Sequence, residues 1–453
     1  MEGEYREDAA GREPLLRQAF FEAIAGSNEL LAGFTPRRVA GRVSFPGQAT
    51  AVVGIRRAGK TTFMHQLRAE RAEAGTSLGH LPMLSLEDER FAGMDAAKLG
   101  RLIDEYMDRQ PASGSGNGRI MWFLDEIQLV AGWERLVRRL LDTGEVEICV
   151  SGSSADLLSR EIATALRGRG WPVLIHPLGF DEALRHRGVV PPSDPALWSR
   201  VERVRIEERF VEWLTGGGIP EAQDLDIGTR RRLLSDYVDV AILRDVVERH
   251  QVGNVAGLRR LVRHLLGNAG SQFSVEKFHR VLRSQGIAIA RDTVHQHLAH
   301  LQDCFLVRTV WMESRSERQR MVNPRKVYPV DTGLIPVFDR SGRANLGHAL
   351  ETAVLVELER RRSETTYVRT PDGFEVDFLA RHEDDTVELV QVCADASADS
   401  TANRELRALA AAGAMFPNAV KRLLTLNRRG LPARTPADVI AQPAYEWILG
   451  RWT

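Results

Sequence analysis

A short glycine-containing segment of the chain has the residue types and spacing of a phosphate-binding loop. Gly54-Ile-Arg-Arg-Ala-Gly-Lys-Thr61 satisfies the pattern G-x-x-x-x-G-K-[ST], between a β-rich segment and a helical one. Backbone N–H groups of such a loop contact phosphate oxygens, and the helix N-terminus adds partial positive charge. The predicted nucleotide-binding residues are Gly54, Ile55, Arg56, Arg57, Ala58, Gly59, Lys60, Thr61 and Thr62. We expect Lys60 to reach the β- and γ-phosphates and Thr61 to bind Mg²⁺. The alternative is a glycine-rich turn without a ligand.

Two acidic residues follow a strongly apolar segment further along the chain. Ile120-Met-Trp-Phe-Leu124 runs directly into Asp125 and Glu126, the pattern of a buried strand that ends in two carboxylates. Ligands bind at the carboxyl ends of strands in parallel α/β sheets. We therefore expect Asp125 to bind Mg²⁺, directly or through water, and Glu126 to orient and deprotonate the attacking water. The alternative is a pair of solvated surface acids.

The next apolar segment also ends in polar residues. Val146 to Val150 is followed by Ser151-Gly-Ser-Ser154. A polar side chain after this strand would lie between the two motifs, where it could sense the γ-phosphate or hold the attacking water. Ser153 is the first candidate and Ser154 the second, although serines also end many strands without such a role.

Strands that alternate with helices are needed to hold these residues at one edge of a sheet. The β-rich segments are 48–54, 81–86, 119–124, 146–150 and 171–175. Helical segments such as 60–74 and 133–142 separate them. This alternation predicts a parallel sheet covered by helices on both faces. The polar, Gly- and Ser-rich segment 111–118 is predicted to be a surface loop.

The chain resembles the AAA-type ATPases of the ORC/STAND-like side, specifically a bacterial and archaeal family in which this core precedes a C-terminal domain of unknown function. The matching segments begin with the P-loop and Phe123-Leu-Asp-Glu-Ile-Gln128. The others are Ser151-Gly-Ser-Ser154, Leu166-Arg-Gly-Arg169, His176-Pro-Leu-Gly-Phe180, Gly217-Gly-Ile-Pro-Glu221, Asn323-Pro-Arg-Lys-Val-Tyr328, Asp331-Thr-Gly-Leu334 and Phe374-Glu-Val-Asp-Phe378. The resemblance covers nearly the whole chain.

The resemblance implies an ATPase with ATP and Mg²⁺ as cofactors and a homo-oligomer, with a hexameric ring expected. In such ATPases an arginine after the sensor strand commonly completes the site of a neighbouring subunit. Leu166-Arg-Gly-Arg169 is the matching stretch here, so Arg169 is the first candidate and Arg167 the second. The alternative is an ordinary surface arginine, because the chain is rich in this residue.

Composition restricts the class of protein. The chain has 453 residues, 43% of them hydrophobic and 27% charged, which is typical of a globular protein with about three domains. No apolar run approaches the length that crosses a bilayer, so we expect a cytoplasmic protein without a membrane partner. The cysteines Cys149, Cys304 and Cys393 lack the close spacing of zinc or redox sites and are expected to be core thiols. Formal net charge is zero, so a nucleic-acid partner must be argued from local charge.

Local positive charge is concentrated between residues 256 and 326. This segment has thirteen Arg or Lys against five Asp or Glu. Its pattern predicts helices at 256–266, 275–284 and 291–302, then strands at 305–312 and 325–330, which is the order of a winged helix. The predicted DNA-binding residues are Arg291, Thr293, Gln296, Arg315 and Arg318, with His295, His300 and Arg320 nearby. The alternative is a winged helix that contacts only protein.

The C-terminal segment resembles the PD-D/E-x-K nuclease fold. Glu351 lies on a predicted helix and Asp377 on a predicted strand, as that fold requires. The next strand would end in an acid, a spacer and a lysine, but Gln391 and Cys393 occupy those positions. Without the acid a metal loses a ligand, and without the lysine the attacking water loses electrostatic support. We therefore expect a nuclease-like scaffold that does not cut, with an active nuclease as the alternative.

Together these observations predict an α/β protein with a P-loop AAA-type parallel-sheet core, an α-helical lid, a winged helix and a C-terminal nuclease-like α/β domain. The expected domains are residues 1–179, 180–254, 255–330 and 331–453. The leading hypothesis is a Mg²⁺-dependent ATPase that acts on duplex or branched DNA as a motor or remodeller. The rival hypothesis is a nucleotide-controlled regulatory switch that binds a protein partner and does not translocate DNA.

Overall fold

The computed structural model describes residues 2–110, 119–152, 166–192, 194–314, 316, 318–319, 323–339 and 345–450. The chain divides into two compact units. The first unit comprises Met1–Gly54 and Gly59–Ile175, and the second comprises Ile55–Ala58 and His176–Thr453. Within the described residues, no helix is long and apolar enough to cross a membrane. The predicted surface loop at 111–118 lies outside the described residues.

The first unit is built on a five-stranded parallel sheet in the order β2-β3-β4-β1-β5. The strands are β1 Ala49–Val53, β2 Met83–Ser85, β3 Ile120–Asp125, β4 Val146–Gly152 and β5 Gly170–Leu174. The helices of this unit are α1 Glu2–Gly26, α2 Lys60–Glu73, α3 Ala96–Asp108 and α4 Trp133–Thr143. The predicted parallel sheet is confirmed, whereas the long N-terminal helix α1 was not predicted.

The central strands of this sheet are apolar and buried along their whole length. Every residue of β1 and β3 is buried, as expected for strands with helices on both faces. Because the strands are parallel, their carboxyl ends lie at the same edge of the sheet. The register pairs Val53 of β1 with Gly152 of β4, and Leu124 of β3 with Val150 of β4. This edge therefore holds the start of the P-loop, Asp125 and the polar end of β4.

The second unit begins with helices and ends in a large mixed sheet. Its helices are α5 Phe180–His186, α6 Arg200–Gly216, α7 Ile227–Val240, α8 Val255–Gly267, α9 Val275–Ser284, α10 Arg291–Asp303, α11 Ile335–Phe338, α12 Leu346–Arg360, α13 Asp399–Met415 and α14 Ala444–Leu449. Helix α7 continues as a π-helix over Ala241–Glu248. The strands are β6 Gln272–Phe273, β7 Val307–Met312, β8 Arg325–Pro329, β9 Glu364–Arg369, β10 Glu375–Arg381, β11 Val387–Val392, β12 Val420–Thr425 and β13 Val439–Pro443.

These eight strands form one sheet in the order β13-β12-β11-β10-β9-β7-β8-β6. Strand β7 joins its two halves, because it pairs antiparallel with β8 and parallel with β9. The predicted boundary between residues 330 and 331 therefore falls inside one compact unit and one continuous sheet. The boundaries at 179, 254 and 330 remain predictions of domain limits.

Two glycine-containing segments that are distant in the sequence meet in the second unit. The N–H of Gly218 donates to a carboxylate oxygen of Asp331 at 2.6 Å, and the N–H of Gly333 donates to the other oxygen at 2.9 Å. Burial raises the pKa of Asp331 to about 6, while these two backbone donors act in the opposite direction. Gly217 has φ +79°, and a Cβ there would lie 1.9 Å from the Asp331 carboxylate. The close approach of residue 217 to the Asp331 carboxylate therefore requires glycine at this position.

We predict that Gly217→Ala strongly destabilises the protein. Its methyl group would displace Asp331 in addition to straining the backbone, at a cost on the order of 3 kcal/mol. Gly188→Ala is the matched control, because Gly188 has φ +70° but no atom within 4 Å of a Cβ. That control should lose only about 1 kcal/mol, from the left-handed backbone alone. Urea unfolding of both variants measures the difference, and equal losses would contradict the proposed steric contact.

Candidate nucleotide site

The P-loop follows β1 and turns directly into α2. Gly54, at the start of the loop, has φ +148°, and a Cβ on it would lie 2.3 Å from the carbonyl oxygen of Ile175. Lys60 is the first residue of α2 and is 5% exposed. Its ammonium donates to the carbonyl oxygen of Gly54 at 3.3 Å. The ammonium therefore folds back along the loop, as required of a lysine that contacts phosphates bound by the loop.

Asp125 is held between two hydroxyl groups. Thr61 Oγ1 donates to one carboxylate oxygen at 2.8 Å, and Ser151 Oγ donates to the other. Asp125 is 3% exposed, and this burial raises the pKa of its carboxyl group, while the hydrogen bonds from Ser151 and Thr61 act in the opposite direction. Mg²⁺ prefers oxygen ligands and is commonly held by one or two protein groups together with substrate phosphates. Thr61 and Asp125 fit that requirement.

Glu126 adopts a conformation that few non-glycine residues have. Its φ and ψ of 54° and 46° lie in the left-handed region, which is common in functional sites but strained for a long side chain. Its backbone N–H donates to Ser151 Oγ at 3.1 Å, so the same serine contacts both acidic residues. The side-chain amide of Gln128 donates to the Glu126 carboxylate. Ser151 therefore fixes the backbone of Glu126, and Gln128 positions its carboxylate.

Two polar residues in this site were not predicted. Ser151 lies within β4, whereas the prediction named Ser153 and Ser154, which lie outside the described residues. Ser151 was overlooked because β4 extends to Gly152, beyond the apolar segment that ended at Val150. Gln128 follows the two acids in the segment that carries the family resemblance, but sequence gives no indication that its amide returns to Glu126.

The middle of the P-loop belongs to the second compact unit, and its two arginines form ion pairs within that unit. Arg56 binds Asp245 at 3.0 Å, and Arg57 binds Glu221 at 2.8 Å. Asp245 lies in the π-helix and its side chain is 6% exposed. Of the other predicted nucleotide-binding residues, Ile55 and Ala58 are buried and Thr62 is half-buried. The two guanidinium groups are therefore engaged by carboxylates.

Arg169 and Arg167 lie near the amino ends of the strands of the first unit's sheet, whereas the P-loop follows the carboxyl end of β1. Arg169 directly precedes β5, and its carbonyl oxygen accepts from the N–H of Ala49 at 2.8 Å, where β1 begins. The P-loop begins after the other end of β1, four residues or about 13 Å further along the strand direction. Arg169 forms an exposed ion pair with Asp142, and Arg167 is exposed with φ 51°. Neither arginine therefore belongs to the group of side chains around the P-loop and Asp125.

The predicted DNA-binding residues lie on α10 and after β7. Arg291 and Gln296 on α10 are exposed and Thr293 is half-buried. Arg291 lies 3.8 Å from carboxylate oxygens of Glu276 and Asp292, which are long, exposed contacts. Arg318 is exposed, whereas Arg315 and Arg320 lie outside the described residues. These assignments remain predictions.

Comparison with protein families identifies two regions of the chain. Residues 46–184 match a family described as an AAA domain, and residues 207–342 match a domain of unknown function. The first match includes the P-loop, Asp125, Glu126 and Ser151, so the candidate site lies within the region that is similar to an AAA domain. The C-terminal nuclease-like assignment has no corresponding family match among these two.

Two curated relatives are uncharacterised proteins. One, from Methanocaldococcus jannaschii, is 29% identical over 414 residues, covering 89% of each chain. The other, from Haemophilus influenzae, is 28% identical over 335 residues, covering 74% of this chain and 80% of its own. Both similarities extend over most of this chain.

Solved structures with detectable similarity are more distant. A Walker-type ATPase of Pyrococcus abyssi matches with TM-score 0.37 and 17% identity, over 64% of this chain and 90% of its own. An Aeropyrum pernix Orc1 protein in complex with DNA matches with TM-score 0.26 and 16% identity, over 72% and 91% respectively.

We predict that Ser151→Ala lowers ATP turnover about tenfold or more while ATP binding is largely retained. The reason is that Asp125 and the backbone of Glu126 each lose a hydrogen bond, worth about 1 kcal/mol apiece. Ser85→Ala is the matched control, because Ser85 ends the neighbouring strand β2 opposite Asp125. Phosphate release and nucleotide titration measure the two effects. Equal turnover of the Ser151 and Ser85 variants would exclude a positioning role.

Proposed function

We propose that the protein binds ATP with Mg²⁺ at the P-loop and at the carboxyl ends of β3 and β4, and hydrolyses it. The observation that carries this proposal is the hydrogen-bonded set of Thr61, Asp125, Ser151 and Glu126 beside Lys60. These groups bring two hydroxyls, two carboxylates and an ammonium to the strand edge where α/β sheets bind ligands. The match of residues 46–184 to an AAA domain supports the same conclusion.

Each residue then has a defined part in phosphoryl transfer. Bound Mg²⁺ would neutralise charge on the β- and γ-phosphates, and Thr61 and Asp125 are the residues that would hold it. The Lys60 ammonium would offset the charge that develops on the same phosphates. The Glu126 carboxylate would orient a water molecule and accept its proton, and Gln128 and Ser151 would hold Glu126 in place. Exclusion of bulk water by the buried strand ends would strengthen these interactions.

We predict different defects for two substitutions in this site. Lys60→Ala should weaken ATP binding, because the phosphates lose the ammonium of the motif. Glu126→Gln should bind ATP but hydrolyse it on the order of 10² times more slowly, since the amide keeps the shape of the side chain and cannot accept a proton. Nucleotide titration and phosphate release distinguish the two. Turnover of Glu126→Gln at the wild-type rate would show that Glu126 is not the general base.

A role on DNA is the finer part of the proposal. The elements α8, β6, α9, α10, β7 and β8 follow one another in the order of a winged helix, and β8 pairs with both β6 and β7. In a winged helix of this order, α10 would be the recognition helix, and Arg283 and Arg280 on α9 add exposed positive charge. These features support binding to phosphate backbones. Stimulation of ATP turnover by duplex or branched DNA at fixed salt would support a motor or remodeller.

We predict that Arg291→Glu together with Arg318→Glu weakens DNA binding and lowers the log–log salt slope by about two units, one for each lost phosphate contact. Basal ATP turnover should not change. Lys98→Glu with Arg101→Glu is the control, because both residues are exposed on α3 and lie outside the basic segment. DNA titration at several salt concentrations measures the slope. An unchanged slope in the Arg291→Glu, Arg318→Glu variant would show that these arginines do not contact DNA phosphates. Any DNA-binding surface would then lie elsewhere.

We also propose that Arg169 completes the nucleotide site of a neighbouring subunit in a homo-oligomer. Its position at the sheet edge opposite the P-loop favours action on another subunit over action on its own. The ion pair with Asp142 is exposed, so breaking it would cost little. A guanidinium group is suited to the charge on γ-phosphate oxygens, and such an arginine can contribute about a thousandfold or more to turnover.

Mixing two inactive variants tests this assignment. Arg169→Ala should bind ATP and hydrolyse it slowly, and Glu126→Gln should do the same for a different reason. A mixed oligomer contains sites with an intact Glu126 and a neighbour's intact Arg169, so turnover should partly recover. Light scattering confirms that the variants assemble together. Full turnover by Arg169→Ala alone would contradict the assignment.

The second candidate function is a nucleotide-controlled switch that binds a protein partner. The ion pairs of Arg56 with Asp245 and Arg57 with Glu221 favour it, because a change in the P-loop would alter contacts in the π-helix and the segment around Glu221. π-Helical turns frequently lie at functional sites. Very slow turnover, tight retention of ADP and indifference to every DNA structure would favour the switch over the remodeller.

A further inference from the structure

A buried lysine lies among three carboxylates in the second unit. Lys326 on β8 donates to Asp377 at 2.8 Å and to Glu351 at 3.1 Å, and its ammonium is 2.8 Å from a carboxylate oxygen of Glu375. The carboxylates come from α12 and β10. The Lys326 residue is 3% exposed and its ammonium lies 5.7 Å from the centre of the Tyr367 ring. The cluster therefore joins three elements through one cation.

The groups around the cluster are also fixed. Tyr328 donates its hydroxyl to Glu351 at 2.6 Å, and the second oxygen of Asp377 accepts from the N–H of Val392 at 3.0 Å. Gln391, which occupies the position expected for a second-strand acid, accepts from the N–H of Asp377 and donates to Glu405 at 2.6 Å. Gln391 is thus directed toward Glu405 and does not contribute a fourth carboxylate to the cluster.

The charges explain why the cation is needed. Burial disfavours the charged form of Lys326, but Asp377, Glu351 and Glu375 outweigh it and raise the pKa of the ammonium. Burial and the nearby Asp377 raise the pKa of Glu351 to about 7, while Lys326 acts in the opposite direction. Removal of one partner from a buried ion pair leaves an uncompensated charge and is strongly destabilising. If Lys326 were absent, the three converging carboxylates would have to take up protons or bind another cation.

We infer that Lys326 is a built-in replacement for a divalent cation in this carboxylate cluster. Carboxylate oxygens from separate elements that converge on one point are the ligand set of Mg²⁺, Mn²⁺ and Ca²⁺. Here the ammonium occupies that point and takes the hydrogen bonds. Among the described residues, no group of three or more Asp, Glu, His or Cys side chains could hold a metal ion. The second unit consequently assembles without a metal, and Lys326→Ala converts the cluster into a divalent-cation site.

The test measures thermal unfolding of the full chain, free of nucleotide, in EDTA and in Mn²⁺. Wild type should melt at the same temperature in both. Lys326→Ala should melt at least about 5 °C lower in EDTA and recover several degrees in Mn²⁺. Lys326→Ala with Asp377→Asn should show no recovery, which separates this cluster from Asp125 in the first unit. Lys421→Ala is the matched control, because Lys421 lies in the same sheet and pairs with the exposed Asp438.

The following results would overturn the inference, except that a failure to fold in EDTA is decided by refolding. A wild-type melting temperature that rises in Mn²⁺ and ceases to rise in Asp377→Asn would show an ordinary metal site with Lys326 beside it. A folded Lys326→Ala protein that is as stable as wild type would show that the carboxylates do not need a cation. A folded Lys326→Ala protein whose melting temperature does not rise in Mn²⁺ would show that the cluster does not take a divalent cation in place of Lys326. If Lys326→Ala does not fold in EDTA, refolding from urea with Mn²⁺ decides: recovery supports the inference and failure contradicts it. None of these results depends on ATP turnover.

Discussion

The hydrogen bonds that the two hydroxyls of Thr61 and Ser151 donate to the buried Asp125 carboxylate are the interaction on which the candidate site depends. They connect α2, β3 and β4, so they require the strand order β3-β4-β1 with all three strands parallel. They also determine where Glu126 lies, because Ser151 accepts from its backbone N–H. A change in register of one strand by one residue would turn Asp125 or Ser151 to the other face of the sheet and separate them.

The second unit depends on buried charge in a similar way. Besides Lys326, the buried Arg360 on α12 binds Glu182 on α5 at 3.0 Å and lies 3.4 Å from Glu357. Burial disfavours its charge, but Glu182, Glu357 and Asp181 outweigh this effect and raise the pKa of Arg360. Buried ion pairs are costly to desolvate and contribute little net stability, but they are intolerant of the loss of one partner. They therefore determine which elements of the unit pack together.

Local patterns allowed most elements to be predicted from the sequence. The P-loop, the apolar strand that ends at Asp125 and Glu126, and the helices of the basic segment all follow from residue types within a few positions. The pairing of β7 with β9 could not be predicted, because it joins residues far apart in the chain and merges two expected domains into one sheet. Ser151, Gln128 and Lys326 were missed for the same reason, since their roles depend on partners from other elements or on how a turn folds. One signal for Lys326 was present, because it is one of only five lysines in an arginine-rich chain.

The proposed ATPase activity is tested most directly by measuring phosphate release from ATP by the wild-type full chain, with Mg²⁺ and with EDTA. Equilibrium binding of ATP is measured alongside it. We expect ATP binding and steady phosphate release that requires Mg²⁺, because Thr61 and Asp125 are arranged to hold this ion. We also expect that excess EDTA abolishes release and that added Mg²⁺ restores it. A folded protein that fails to bind ATP, or that releases phosphate equally in EDTA, would contradict the proposed Mg²⁺-dependent ATPase.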